Sequence, residues 1–165
     1  VVSGTTGWLE AKNKVDQIAS SQAVGFVYAS NFSLGVNLFF AFNEKLASMM
    51  NEYKDYQPRI HEIHHTGKKD EPSGTAITAA EGILKAYPAL DGWTMDSESK
   101  GLTISAERMD PYFGTHIVSY DSSIDTIELK HEAHSRDGFA LGAVIAAEWL
   151  PGKKGPHNMK DVLGL

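Results

Sequence analysis

Ala23-Val24-Gly25-Phe26-Val27-Tyr28-Ala29 carries no charge and centres on β-branched and aromatic residues, and it reads as a buried strand. Upstream, Leu9, Val15, Ile18 and Ala19 give the stretch from Trp8 to about Ser21 the spacing of an amphipathic helix. Before that, Val1-Val2-Ser3 runs into Gly4-Thr5-Thr6-Gly7, the end of a strand entering a glycine turn. Strand, helix, strand predicts a parallel crossover. Ligands of open parallel sheets sit beyond the carboxyl ends of the strands, which are here Gly4-Thr5-Thr6 and Ser30-Asn31-Phe32. The plainer alternative is that both are ordinary loops.

Downstream, Ser33 is placed to cap a long helix through about Tyr53. Leu34, Leu38, Phe39, Phe42, Leu46, Met49, Met50 and Tyr53 form one apolar stripe on it, read as core. Asp55-Tyr56-Gln57-Pro58 is a turn signal, after which Arg59 to His64 is expected to run extended. A helix follows Thr75 and closes at Pro88, and Asp91 to Lys100 is a surface loop. Residues 102–106, 115–120 and 126–133 alternate with period two, with Gly114 and Asp121-Ser122-Ser123 as turns, and predict an antiparallel sheet that is polar on one face. Ile127, Leu129, His131 and Ala133 share one side of the last strand, which makes His131 a packed or interface residue and leaves apolar side chains for self-association. Phe139 to Leu150 is a final apolar helix, and Met159 to Leu165 a last short element.

A chain of 165 residues that is 42% hydrophobic can bury a core of one domain or slightly more. Its net charge of −6 and the absence of any long basic run argue against a nucleic-acid surface. There are no cysteines, so disulfides and thiolate chemistry are excluded. Without a membrane-length apolar run or a signal peptide, the chain reads as soluble and cytoplasmic.

The chemistry concentrates in Glu62-Ile63-His64-His65-Thr66-Gly67-Lys68-Lys69-Asp70-Glu71-Pro72-Ser73-Gly74-Thr75-Ala76. His64, His65 and Lys68 lie within five residues, so one loop could bring an acid/base group, a hydrogen-bond donor and a fixed positive charge onto a small anion. The helix that starts at Gly74, capped by Ser73 or Thr75, offers free backbone N–H groups and the positive end of its dipole to a carboxylate or phosphate. Arg136, at a strand-to-helix turn, could clamp a carboxylate. A competing reading is a zinc hydrolase through His61-Glu62-x-x-His65, which matches H-E-x-x-H and requires a helix. Pro58 and Gly67 leave barely two turns for one.

Glu62-Ile-His-His, Lys68, Asp70 and Pro72-Ser-Gly-Thr-Ala resemble the signature of the dihydrodipicolinate reductase family, also named 4-hydroxy-tetrahydrodipicolinate reductases. Gly4-Thr-Thr-Gly, Asn31 to Asn37, Gly114-Thr-His116, Ser135-Arg136 and the Phe139–Ala143 helix follow in the family's order. The resemblance implies an α/β fold: the end of a Rossmann-like parallel sheet, then an α+β domain with a mixed or antiparallel sheet and packed helices. It implies residues 1–32 as the remnant of a dinucleotide-binding domain, 33–150 as the substrate-binding and oligomerisation domain, and 151–165 as a segment returning toward the nucleotide domain. It further implies His64 and Lys68 as catalytic, and His65, Gly74, Thr75 and Arg136 as substrate-binding. Gly4, Thr5, Thr6, Ala29, Ser30, Asn31 and Phe32 would line the nicotinamide end of NADH or NADPH. No metal and a homotetramer are expected.

Two departures from the family pattern stand out. Thr66-Gly67 replaces residues that are often basic, predicting a weaker local field and a freer loop. No G-x-x-G-x-x-G turn follows an N-terminal strand, so this chain looks like the substrate domain with the tail of the nucleotide domain attached. The expected reaction in lysine and diaminopimelate biosynthesis needs hydride on carbon, a proton for the resulting enamine, and a grip on a cyclic dicarboxylate. Imidazole and ammonium can supply the proton, with Lys68 either donating or acting only as charge. The alternative is a non-catalytic ligand-binding and oligomerisation module.

Overall fold

The computed structural model describes residues 1–5 and 7–165; Thr6, one of the expected cofactor residues, lies outside the described residues. The elements in order are β1 (Val2–Ser3), a 3-10 turn (Leu9–Ala11), α1 (Lys12–Ser21), β2 (Gly25–Tyr28), α2 (Leu34–Met50), β3 (Gln57–His64), α3 (Gly74–Leu84), β4 (Trp93–Thr94), β5 (Leu102–Arg108), β6 (Thr115–Asp121), β7 (Thr126–Glu132), α4 (Asp137–Trp149), β8 (Gly155–His157) and α5 (Met159–Leu163). They form two compact units, one of residues 1–37 and 136–165, the other of residues 38–135.

In the first unit β2 lies between β1 and β8, all parallel, as the strand–helix–strand reading requires. Val27 and Phe32 pack with Ala146, Leu150, Met159 and Val162 from α4 and α5. That closeness depends on Gly142, where a Cβ would stand 1.7 Å from the Phe32 carbonyl oxygen. Helix α4, which the sequence reading assigns to the 33–150 segment, thus shares its core with β2. Ser33 Oγ accepts from the Val36 N–H at 3.4 Å, the expected cap of α2.

The second unit holds a five-stranded sheet in the order β4-β5-β3-β6-β7. It is mixed, as the expected fold class allows; the reading of residues 102–133 as an antiparallel sheet is corrected at β5, which pairs parallel with both β3 and β4, while β6 and β7 are antiparallel. Strand β3 lies between β5 and β6, parallel to the first and antiparallel to the second. The connection from β3 to β5 runs through α3, and a helix crossover joins parallel strands. Phe39, Ala47 and Met50 of α2 and Ala76, Ala79, Ala80 and Ile83 of α3 bury one sheet face against Ile60, Leu102, Ile104, Val118 and Tyr120. Asn43, fully buried, donates to the Ala79 carbonyl at 2.8 Å.

The α2 stripe is wider than the surface that covers it: Phe42, Met49 and Tyr53 are about 60% exposed rather than core. Register also relocates the half-covered residues of β7. Ile127 and Leu129 pair with Tyr120 and Val118, which puts them on the helix-covered face. The open face instead carries Arg59, His61, Ile63, Ile117, Ser119 and Asp121, with Arg59 donating to Asp121 at 2.6 Å and His61 Nδ1 lying 2.9 Å from Ser105 Oγ. No helix among the described residues is long and apolar enough to cross a membrane.

Candidate active site

Two-residue alternation along β3 places Pro58, Ile60, Glu62 and His64 on the covered face, all buried. The register extends that row across the sheet: Glu62 is opposite His116, and His64 is opposite Arg108. One end of the covered face is therefore apolar core, and the other end is a titratable cluster. The same strand geometry removes the zinc reading, because H-E-x-x-H needs a helical turn between its histidines, whereas four residues of extended chain span about 13 Å, and His61 lies on the open face.

Glu62 is the centre of the cluster and has no exposed surface. Its carboxylate accepts the Ser73 N–H at 3.1 and 3.2 Å and an Arg108 Nη2–H at 3.2 Å. His64 Nδ1 and His116 Nε2 each stand 3.6 Å from Glu62 Oε2. Ser73 Oγ accepts from the Ala76 N–H, capping α3, and lies 3.1 Å from His116 Nε2. Burial alone would raise the Glu62 pKa, but hydrogen bonding toward His116 and Ser73 and the charge of His64 outweigh it and hold the carboxyl at about 2. Burial pulls His64 down to about 4; Glu62 opposes this, while His116, Lys68 and Arg108 add to it. At neutral pH the substrate-free site thus pairs a carboxylate with a neutral His64 imidazole.

The loop from β3 to α3 is fastened along its length. Arg108 Nη2 donates to the Asp70 carbonyl at 2.7 Å and sits 3.6 Å from the Glu71 carboxylate. Lys68 donates from its backbone to His65 O at 3.1 Å and from its ammonium to both Asp70 oxygens at 2.8 Å. The freer loop expected from Thr66-Gly67 is not what forms: Thr66 Oγ1 donates to Asp110 at 2.6 Å, and a Cβ on Gly67 would stand only 3.2 Å from His65 Nδ1. A hydroxyl in place of a basic side chain found a carboxylate on the loop after β5.

His64, His65, Lys68, Gly74 and Thr75 are therefore brought into one unit, around the end of β3 and the start of α3. Gly74 is exposed, with nothing within 4 Å of the place a Cβ would take, and its N–H, like the others of a first helical turn, has no intrahelical acceptor. Arg136 lies in the first unit as the residue before α4 and makes no side-chain cap. Gly4, Thr5, Ala29, Ser30, Asn31 and Phe32 also belong to the first unit, where parallel β1 and β2 deliver them to the same edge of the sheet. A Cβ on Gly4 would meet the Phe32 ring at 3.3 Å.

Sequence reading missed Glu62 as an organising group, Arg108 altogether, and His116 except as part of a motif. The signal was present in the alternation of β3, which puts Glu62 with His64 and Ile60. The partners on β5 and β6 depend on register, which no local pattern supplies. Glu62, His64 and His116 have ligand atoms within 4.8 Å of one another, a spacing a metal ion could use. The carboxylate is already matched by the Arg108 guanidinium and the Ser73 amide, which a cation would have to displace.

Residues 35–163 match the profile of the family described as dihydrodipicolinate reductase, C-terminus. The chain belongs to this family. It is 54% identical over 164 residues to 4-hydroxy-tetrahydrodipicolinate reductase of Christiangramia forsetii, an alignment covering 99% of this chain and 69% of that protein. Among solved structures it is similar to the dipicolinate-bound dihydrodipicolinate reductase from Paenisporosarcina sp. TG-14, with a TM-score of 0.74 and 25% identity. That match covers 95% of this chain and 62% of the solved one, so the chain spans less than two thirds of that relative.

Proposed function

We propose that the protein carrying this chain reduces 4-hydroxy-tetrahydrodipicolinate to tetrahydrodipicolinate with NADH or NADPH, in the biosynthesis of diaminopimelate and lysine, and that this chain supplies the substrate-binding part of a homo-oligomer. The observation that carries the reading is that one buried carboxylate, Glu62, ties the strand end bearing His64 to the start of the helix bearing Gly74 and Thr75. A proton-exchanging group and an anion-binding helix terminus are thereby held in fixed relation, which a cyclic dicarboxylate undergoing protonation requires.

Small residues and an aromatic ring at one sheet edge, with Gly4 leaving only a narrow gap to Phe32, suit the flat amide end of a nicotinamide. Gly4, Thr5, Ala29, Ser30, Asn31 and Phe32 would hold that end. The chemistry the bound nicotinamide supplies is hydride transfer to carbon. The amides at the start of α3 bind one carboxylate of the substrate, supported by the helix dipole. Lys68 reaches the anion by exchanging Asp70 for a substrate carboxylate, since in the substrate-free site its ammonium is fully engaged there. A dianion next to His64 favours imidazolium, so substrate binding itself raises the affinity of that ring for the proton it must deliver.

Titration of the labelled chain with pyridine-2,6-dicarboxylate, followed by amide and imidazole resonances, tests the reading. Shifts confined to His64, His65, Lys68, Gly74 and Thr75 are expected. Saturable binding that leaves all five unmoved would sink it.

A further inference from the structure

We infer that Glu62 is a positioning residue for His64: its buried carboxylate fixes the imidazole as the Nδ1–H tautomer and leaves Nε2 as the nitrogen that takes up and returns a proton. The tautomer follows from geometry alone; the use of the proton rests on the functional reading above.

His64 Nδ1 is buried, has no hydrogen-bond partner, and has a carboxylate oxygen of Glu62 3.6 Å away. The two neutral tautomers differ in what they present across that gap, an N–H dipole in one and a lone pair in the other. Against a full negative charge in a site with little water, only the N–H is attracted. The remaining groups facing the ring are Lys68 from the loop, Arg108 from β5 and His116 from β6, none of which offers Nδ1 an anion. Glu62 is thus the group that decides the tautomer.

The Nε2 side of the ring faces backbone where a side chain could have stood. His64 Nε2 lies 3.2 Å from the place a Cβ on Gly114 would occupy, and Gly114, at φ 152°, sits where side chains rarely go. The start of β6 therefore passes His64 Nε2 as bare backbone. Its neighbour His116 is ordered by the same carboxylate through the other nitrogen. His116 Nε2 stands 3.6 Å from Glu62 Oε2 and 3.1 Å from Ser73 Oγ, and the two rings meet edge to face at 5.0 Å. One negative charge so orients two imidazoles, His64 through Nδ1 and His116 through Nε2.

Replacement of Glu62 by Gln keeps shape and reverses the preference. The amide oxygen can still accept from Ser73 and Arg108, and the NH2 then faces the ring nitrogens as a donor. His64 should answer by accepting at Nδ1 and carrying its proton on Nε2.

The test is a long-range proton–nitrogen correlation spectrum of the 165-residue chain, labelled with nitrogen-15 in histidine, at neutral pH. His64 in the unmodified chain should show a protonated, pyrrole-like Nδ1 and a pyridine-like Nε2. Glu62→Gln should exchange the two patterns, and Glu62→Asp, which restores the charge, should return the proton to Nδ1. A merely structural role for Glu62 would not produce this pattern of loss and rescue. A proton on Nε2 in the unmodified chain overturns the inference, as does an unchanged tautomer in a folded Glu62→Gln variant. If that variant does not fold, the unmodified spectrum alone decides. Adding pyridine-2,6-dicarboxylate to the same sample should shift His64 Nε2. If the tautomer is as expected and the bound ligand leaves Nε2 unmoved, the assignment of Nε2 as the exchanging nitrogen falls together with the functional reading, while the tautomer stands on its own result.

Discussion

At the scale of single residues, His64 and Glu62 both make the fold weaker on acidification, in successive pH windows. His64 falls from 6.5 in an exposed reference to about 4 in the folded chain, so between those values the unfolded chain binds the extra proton. Stability should therefore fall as pH drops from 6.5 to 4, by on the order of 3 kcal/mol at 1.36 kcal/mol per unit. Glu62, lowered from 4.5 to about 2, contributes stability that is present above 4.5 and lost only as pH falls through 2. Urea unfolding of the chain at a series of pH values should show the first slope, and His64→Gln should flatten it between 6.5 and 4 while leaving the more acidic limb. An unchanged slope in that variant would remove His64 as its source. In an assay of the proposed reductase activity, the same substitution should lower kcat by about the 10² to 10⁴ expected for loss of a general acid, with KM moving much less. Thr75→Val is the contrast: it removes a hydroxyl proposed to bind substrate at the start of α3 and should chiefly raise KM, equivalent to about 1 to 3 kcal/mol if the partner is a carboxylate. A His64→Gln enzyme with near-normal kcat and raised KM would reduce the imidazole to a binding group.

At the scale of elements, the close passage of α4 over the end of β2 makes Gly142 the sensitive position. A methyl group there would stand 1.7 Å from the Phe32 carbonyl oxygen, a backbone atom that cannot rotate away. Although Ala is ordinarily the better helix former by about 1 kcal/mol, Gly142→Ala should destabilise the first unit by more than the 1 to 3 kcal/mol typical of overpacking. Thermal unfolding with α4 and α5 probes should show it, and a neutral or stabilised variant would mean α4 does not pass Phe32 this closely. The helix was legible in the sequence from its apolar run, as were β2, α1, α2 and α3, because each is a local pattern of period 3.6 or an uncharged run. What was not legible was partnership. Strand β3 was read as a means of delivering His64, yet its insertion between β5 and β6 is what places Arg108 and His116 against Glu62. The α2 stripe shows the reverse limit: periodicity marks an apolar face but does not say how much of it the sheet covers, and Phe42 and Met49 stay exposed.

At the scale of the whole molecule, the first unit is proposed to hold only one end of a dinucleotide, at its three short parallel strands, and the chain contains no G-x-x-G-x-x-G turn to cradle a pyrophosphate. Fluorescence titration of the 165-residue chain with NADPH should accordingly show no saturable binding at micromolar concentrations, and tight binding would show that the nucleotide site has been misplaced. Self-association is expected from the second unit. The open face of its sheet holds Ile63 and Ile117 half-buried among paired polar groups, the Arg59–Asp121 ion pair and His61 Nε2 3.6 Å from Glu107. Such a face, satisfied in its polar groups and apolar between them, is the kind that can pair with a second copy about a two-fold axis. Ile117 lies between His61 and Lys130 in the register, so Ile117→Lys adds a repelling charge near the middle of the face. The substitution removes no buried side chain from the helix-covered core, and the stability of a single copy should change by no more than about 1 kcal/mol, the span of β propensities. Sedimentation velocity at tens of micromolar should find the unmodified chain as an oligomer and Ile117→Lys shifted toward the monomer with its circular dichroism unchanged. A monomeric unmodified chain would exclude the open face as a contact between copies, and an oligomer indifferent to Ile117→Lys would move the contact to the exposed edge of α2 bearing Phe42 and Met49.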